Sequence, residues 1–337
     1  DDGDTDNNSK HFGVVTYTGN GSSNAITGLG FQPDLVWGKC ISASQTGILI
    51  DSSRGQGLLF SSLANAEQTS NGPFMTSYDS DGFTLASSGS NPNDSGRTYV
   101  AWCWRANGAS TSSNSSGSIT STVQANTKGG FSIMTYTGTG SNATIGHGLS
   151  AKPDFILTKR RSSEQTWGVY HTSLGATKYL ALNSSAAAGT DSTFWNNTEP
   201  TTSVISLGTE GRVNQNSGTY VAYAWHSVSG FSRFGSFQGN ADNDGTFVYT
   251  GFRPRMLFIK NTASASPWCV YDTARPSFNP SYLVGWDEAT AQNTSSYPID
   301  ILSNGFKIRT SNATVNSAHT WVFGAWGNPS FKYNNTF

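Results

Sequence analysis

Charge is what this chain of 337 residues has least of: Asp, Glu, Lys and Arg together make up 12%, against roughly 25% in ordinary soluble domains. Twenty basic and twenty-one acidic residues leave a formal net charge of -1. That balance gives no basic field for nucleic acid and no polybasic patch for anionic lipid. Apolar runs stay far below the roughly 20 residues that a membrane-spanning helix needs. Cysteine is nearly missing. Cys40, Cys103 and Cys269 show no C-x-x-C spacing, which argues against a disulfide framework or a metal site and for reduced, partly buried small hydrophobes in a chain that folds in a reducing cytoplasm. The five histidines, His11, His147, His171, His226 and His319, lie at no metal-ligand spacing. Neither a Gly-x-Ser-x-Gly elbow nor a Gly-x-x-x-x-Gly-Lys loop occurs, so acyl and phosphoryl transfer have no support and no cofactor is expected. What the chain does have is Gly, Ser, Thr and Asn on a neutral surface and 12% aromatics, enough rings to fill cores.

Three segments end alike: Thr98-Tyr99-Val100-Ala101-Trp102-Cys103-Trp104, Thr219-Tyr220-Val221-Ala222-Tyr223-Ala224-Trp225 and Thr320-Trp321-Val322-Phe323-Gly324-Ala325-Trp326. Pro33, Pro153 and Pro254 each open an apolar run 71 or 72 residues before the last Trp, and each is followed six residues later by a lysine: Lys39, Lys159, Lys260. A threefold internal repeat follows, with units at 11–106, 129–228 and 229–328. At close to 100 residues these are too long for solenoid or propeller units and suit small independent domains. Residues 1–10 read as an N-terminal connector, 107–128 as a flexible Ser/Thr/Asn/Gly linker whose second half adds an edge strand, and 329–337 as a C-terminal tail. Because the chain begins at Asp1, a longer precursor is expected.

Alternation of large and small residues in Val14/Thr16 and Val100/Trp102/Trp104, with turn dipeptides before Phe83 and Phe306, predicts an all-β fold of three tandem β-sandwiches of jelly-roll or lectin-like form. In unit 1, strands are expected near 12–17, 34–40, 46–52, 57–61, 83–87 and 98–104. The one candidate helix is Ser61 to Gln68.

Candidate sites come from comparing the units. Asp51, Arg54 and Glu67 recur as Asp272, Arg275 and Glu288 at the same offsets from the proline, while unit 2 has His171, Leu174 and Ala187 there. Joint loss predicts contact: a structural ion-pair cluster in which an arginine fork is held by two carboxylates. The chemical alternative, a glycosidase carboxylate pair, is disfavoured by the intervening arginine. Asp2-Gly3-Asp4-Thr5-Asp6 and Asn240 to Gly245 carry oxygens at alternate positions, as calcium loops do, without the distal glutamate of an EF-hand, so no metal is assigned. Trp195 with Asn196, and Trp286 with Asp287, place an indole beside an amide or acid. That is the chemistry of saccharide recognition, so these four are the candidate binding residues, expected on exposed loops, with buried loop plugs as the alternative.

The Tyr-Thr-Gly-x-Gly openings, Phe31-Gln32-Pro33-Asp34-Leu35-Val36-Trp37, Arg97 to Trp104, Tyr271-Asp272-Thr273-Ala274-Arg275 and Asn328 to Tyr333 resemble repeat domains of virion structural proteins of tailed phages, especially marine cyanobacterial ones. The resemblance implies a tail-fibre or adhesin-like segment on the virion exterior, made in the bacterial host cytoplasm. Its implied partners are other virion proteins, host-surface polysaccharide and, by analogy with phage fibres, two further copies in a homotrimer. It implies neither nucleic acid nor membrane as a partner and no catalytic residue. A capsid- or neck-attached spacer without ligand, in which repetition serves length, and a polysaccharide depolymerase are the alternatives.

Overall fold

The computed structural model describes residues 11–70, 73–87, 92–276 and 278–327. The connector, the first acidic run, the Asn328–Tyr333 motif and the tail therefore lie outside the described residues.

Each unit is built on one large antiparallel sheet. In unit 1 its strand order is Phe12–Thr18, Thr98–Trp104, Leu35–Cys40, Ile48–Asp51, Leu59–Phe60; in unit 3 it is Ser232–Gln238, Thr320–Gly327, Pro254–Asn261, Cys269–Asp272, Val284–Gly285. Unit 2 has Phe131–Thr137, Thr219–Trp225, Phe155–Arg160 and Gly168–His171 in the corresponding order, extended outside Phe131–Thr137 by Ser121–Asn126 and then Ser112–Asn114. A small sheet covers the outer face. It is Asn24–Thr27, Gly82–Leu85, Met75–Asp79 in unit 1 and Phe247–Tyr249, Gly305–Ile308, Ile299–Leu302 in unit 3, while Ala143–Gly146 pairs with Val204–Leu207 in unit 2. The all-β sandwich expectation holds. Asn24–Thr27 and Met75–Asp79 escape the sequence pattern because each buries a single side chain, Ile26 and Met75.

The strand ending each unit is buried on both faces, and that places the cores. In unit 1, Ala101 and Cys103 point outward into a local core with Ile26, Phe83 and Leu85 of the small sheet, and Val100, Trp102 and Trp104 point the other way. In units 2 and 3 the same alternation sends Val221, Tyr223 and Trp225, and Val322 and Trp326, into that second core. It is one core, shared by all three units. At its centre the rings of Trp104, Trp225 and Trp326 lie 5.6, 5.3 and 6.0 Å apart, each pair edge to face, the geometry that the ring quadrupole favours. The three large sheets thus face a common axis, and each unit, besides a local core under its small sheet, depends on a core that it shares with the other two.

Two local expectations are corrected. Residues 107–128 do not form a flexible linker. Asp34 caps their start, accepting backbone N–H groups from Ala106 (2.7 Å), Gly108 (2.9 Å) and Ala109 (2.7 Å). Their later part pairs with Phe131–Thr137 and returns to unit 1, where the Gln124 amide reaches the hydroxyls of Ser52 and Ser53. Ser61 to Gln68 is not helical, because its backbone groups are taken elsewhere: Gln165 N–H donates to the Ala64 carbonyl and Glu67 N–H to the Arg161 carbonyl of unit 2. Among the described residues the helices are single turns at Ser192–Trp195, Gly211–Asn214 and Ala313–Asn316, each N-capped by an Asp, Glu or Asn side chain.

Candidate functional site

The polar residues that repeat along the sequence gather at the seams between units. Asp51 and Arg54 sit on the turn after Ile48–Asp51, where the Asp51 carboxylate accepts from Arg54 Nε at 2.5 Å and Arg54 Nη1 donates to Glu67 at 2.5 Å. The cluster does not end within unit 1. The Tyr223 hydroxyl of unit 2 donates to Asp51 at 2.6 Å, and Arg161 of unit 2 pairs with the second oxygen of Glu67 at 2.7 Å. Burial alone would lower the Arg54 pKa, and Asp51, Tyr223 and Glu67 more than reverse it, so the guanidinium stays charged. With side-chain exposures of 0% for Asp51 and Arg54 and 7% for Glu67, the cluster is closed to solvent.

Unit 3 keeps part of this arrangement. Arg275 Nε pairs with Asp272 at 2.7 Å, and Asp272 also accepts from the Trp102 indole of unit 1 at 3.2 Å. Glu288 does not join. Its carboxylate accepts from the Thr290 hydroxyl at 2.8 Å, and Arg275 Nη1 is buried with no partner among the described residues. In unit 2, His171 occupies the aspartate's position and its Nε2 lies 3.1 Å from the Phe323 carbonyl of unit 3. Asp51 thus touches unit 2, His171 unit 3, and Asp272 unit 1. The contacts close a ring.

The three repeated lysines run around the ring in the opposite sense. Lys39 donates to the Glu288 carbonyl of unit 3 (2.6 Å), Lys159 to the Ala64 carbonyl of unit 1 (2.9 Å), and Lys260 to the Ser185 and Ala186 carbonyls of unit 2 (3.1 and 2.9 Å). Burial lowers each ammonium from 10.5 to about 8. Every ammonium is nevertheless held by at least two carbonyls, the polar satisfaction a buried charge requires.

Trp195 and Trp286 are both 1% exposed, which overturns the expectation that they stand on exposed loops. Trp195 ends the turn Ser192–Trp195 and packs edge to face on Tyr170 at 5.9 Å. Asn196 stays exposed, but it closes that turn at φ 53°, and its side-chain oxygen accepts from Asn142 at 2.9 Å. Trp286 stacks on Trp37 of unit 1 at 3.9 Å. The reason is a vacancy in the repeat: Trp167 and Trp268 donate indole N–H groups across the 2–1 and 3–2 seams to Phe60 and Ala181, and unit 1 has Gly47 at the same offset. Trp286 fills the remaining seam from the other side. Asp287 accepts from the Trp268 backbone N–H at 2.8 Å, and burial pushes its carboxyl up to about 6.

Nor do the Asn240–Gly245 oxygens converge. Asn240 and Asp242 accept backbone N–H groups two residues on, and Asp244 pairs with Lys307 at 2.7 Å. Among the described residues, no group of three or more His, Cys, Asp or Glu side chains could hold a metal. The three cysteines are buried and unpaired. Sequence comparison missed Arg161, which has no like residue in the other units, and Tyr223, whose counterparts are Trp102 and Gly324.

No curated protein and no solved structure matches the chain. A family described as a domain of unknown function (DUF7483) matches residues 7–329, and the chain belongs to that family.

Proposed function

We propose that the chain is a non-enzymatic structural component of a tailed-phage virion, mounted on the particle exterior as a compact knob of a tail fibre or adhesin. The phage assignment rests on the sequence resemblance. The knob reading is supported above all by one contact: Phe12, where the first large-sheet strand begins, and Trp326, near the end of the last, have ring centroids 6.0 Å apart. A segment that adds length to a shaft carries its entry and exit at opposite poles. Here they share one. The capsid- or neck-attached decoration remains compatible with such a knob, whereas a spacer whose repetition serves length does not. Commitment of Asp51, Glu67 and Asp272 to buried ion pairs favours a structural role over a depolymerase, and threefold closure within one chain removes the need for a homotrimer to supply it.

Gold-labelled antibody against the purified chain, imaged on intact particles, tests this reading. Label at discrete exterior positions on tail, neck or capsid is expected. Absence of the chain from purified particles, or reducing ends released from host polysaccharide by the purified chain, overturns it.

A further inference from the structure

Units 1 and 2 carry an aspartate directly after the marker proline, and each serves the chain that leaves its unit: Asp34 as described above, Asp154 by accepting from the Ser227 N–H at 2.7 Å. Unit 3 has Arg255 at this position. Its guanidinium donates to two neutral acceptors, the Thr273 hydroxyl at 3.1 Å and the Val14 carbonyl of unit 1 at 3.2 Å. Arg253 beside it is exposed, and among the described residues it has no carboxylate partner. Both arginines line a cleft of about 140 Å³ with Asp272, Thr273, Phe278, Asn279 and Ser281. The one carboxylate there, Asp272, is already held by Arg275 at 2.7 Å and by the Trp102 indole. Positive charge in the cleft is therefore unbalanced, in a molecule whose net charge is -1. At the rim stands Phe278, 85% exposed, against 37 to 55% for the other exposed large hydrophobics.

We propose that this cleft binds an acidic saccharide, the Arg253–Arg255 pair taking the carboxylate of a uronate residue and the Phe278 ring covering the apolar face of its sugar. Guanidinium groups match a carboxylate with two parallel N–H donors, and an exposed aromatic face beside them distinguishes a sugar acid from a bare anion. The Thr273 hydroxyl accepts from Arg255 and keeps its own proton for a sugar oxygen. A water needs about 10–15 Å³ of such cleft volume, so a cleft of about 140 Å³ admits the acidic end of one sugar residue. Single-site affinity is accordingly weak, and repeated presentation on a particle raises it. Binding of this kind holds whether or not the chain belongs to a virion, so failure of either reading leaves the other standing.

The test is calorimetric titration of the whole chain with galacturonate and mannuronate oligomers, a neutral galactose oligomer, and sodium sulfate, repeated on Arg253→Ala and Phe278→Ala. Both substituted residues are exposed, and an unchanged unfolding temperature verifies the fold. Expected is binding of a uronate oligomer weakened at least tenfold by each substitution and by raised salt, with no binding of the neutral oligomer. Absence of uronate binding, or uronate binding that Arg253→Ala leaves unchanged, overturns the proposal. So does sulfate binding as tightly as uronate with Phe278→Ala without effect, the behaviour of a plain anion site.

Discussion

Replacing Trp225 by Ala probes the shared core at its centre. The ring is 1% exposed and lies within 4.9 Å of Phe131, 5.5 Å of Phe155, 5.6 Å of Trp104 and 6.0 Å of Trp326, so its removal strips contacts from all three units at once. Large-to-small substitution of a buried Trp costs about 3–5 kcal/mol. With an unfolding entropy of about 2.1 cal/mol/K per residue, a cooperative chain of 337 residues loses roughly 4–7 °C of melting temperature. Differential scanning calorimetry distinguishes the architectures. A core shared by three units predicts that wild type and variant each unfold in one transition and that the whole transition moves. Three independently cored domains predict separate transitions, of which only that of unit 2 shifts, and this outcome refutes the reasoning. Trp225→Phe supplies a control: the indole N–H is buried without a partner among the described residues, so the smaller ring gives up apolar contact but no hydrogen bond to them and costs clearly less than Ala.

The seams make further predictions. Arg54→Ala leaves the buried Asp51 without its cation and Glu67 with Arg161 alone and costs about 3–5 kcal/mol in urea unfolding, whereas Arg275→Ala, which uncovers only Asp272, costs less; equal losses would contradict the difference in pairing. Lys159→Met strands the Gln165 carbonyl, while Ala64 keeps the Gln165 backbone N–H, and destabilises by about 1–3 kcal/mol for the buried acceptor left unpaired, read as a fall in urea midpoint. His147 and His171, lowered by burial from 6.5 to about 4, stay neutral in the fold between those values while the unfolded chain takes up protons. Stability therefore rises with pH from about 4 to 6.5, and His171→Gln flattens that rise. Asp287, raised by burial from 3.8 to about 6, acts in the opposite sense, so Asp287→Asn steepens the rise.

Much of the fold is legible because strand alternation reports burial directly. Val100, Trp102 and Trp104 mark one buried face, and the repeated terminal Trp marks the same strand in every unit. Alternation does not report what lies across from a buried face, however, and that is where the expectation of independent domains fails. Ala101 and Cys103, Ala222 and Ala224, Phe323 and Ala325 are apolar too, so the last strand of every unit has two buried faces, more than a sandwich with one solvated side requires. That doubled face was the available signal for a second core. Residues 107–128 mislead for a related reason: their Ser, Thr and Asn composition reads as linker, yet their backbone groups are taken up by a sheet edge and by Asp34, neither of which composition reveals.

The candidate site was legible as a cluster and illegible as a seam. Joint loss of Asp, Arg and Glu from unit 2 signals that they act together, and the geometry of the ring gives the loss a cause. Asp51 meets a Tyr223 hydroxyl and Asp272 a Trp102 indole, each a side-chain donor two residues before the terminal Trp of the next unit. The corresponding residue opposite unit 2 is Gly324, where a Cβ would come within 2.5 Å of Phe258 and 2.8 Å of Phe234. No side-chain donor fits there. An aspartate in unit 2 would be buried against a backbone carbonyl, charge against partial charge. A neutral imidazole instead leaves a ring N–H for the Phe323 carbonyl, and burial keeps His171 neutral down to about pH 4. With the aspartate gone, an arginine would be the unpaired charge, and Leu174 stands in its place, half-buried and packed against the shared core. What distinguishes unit 2 is thus set by the unit it faces, a dependence that no reading of one repeat at a time contains.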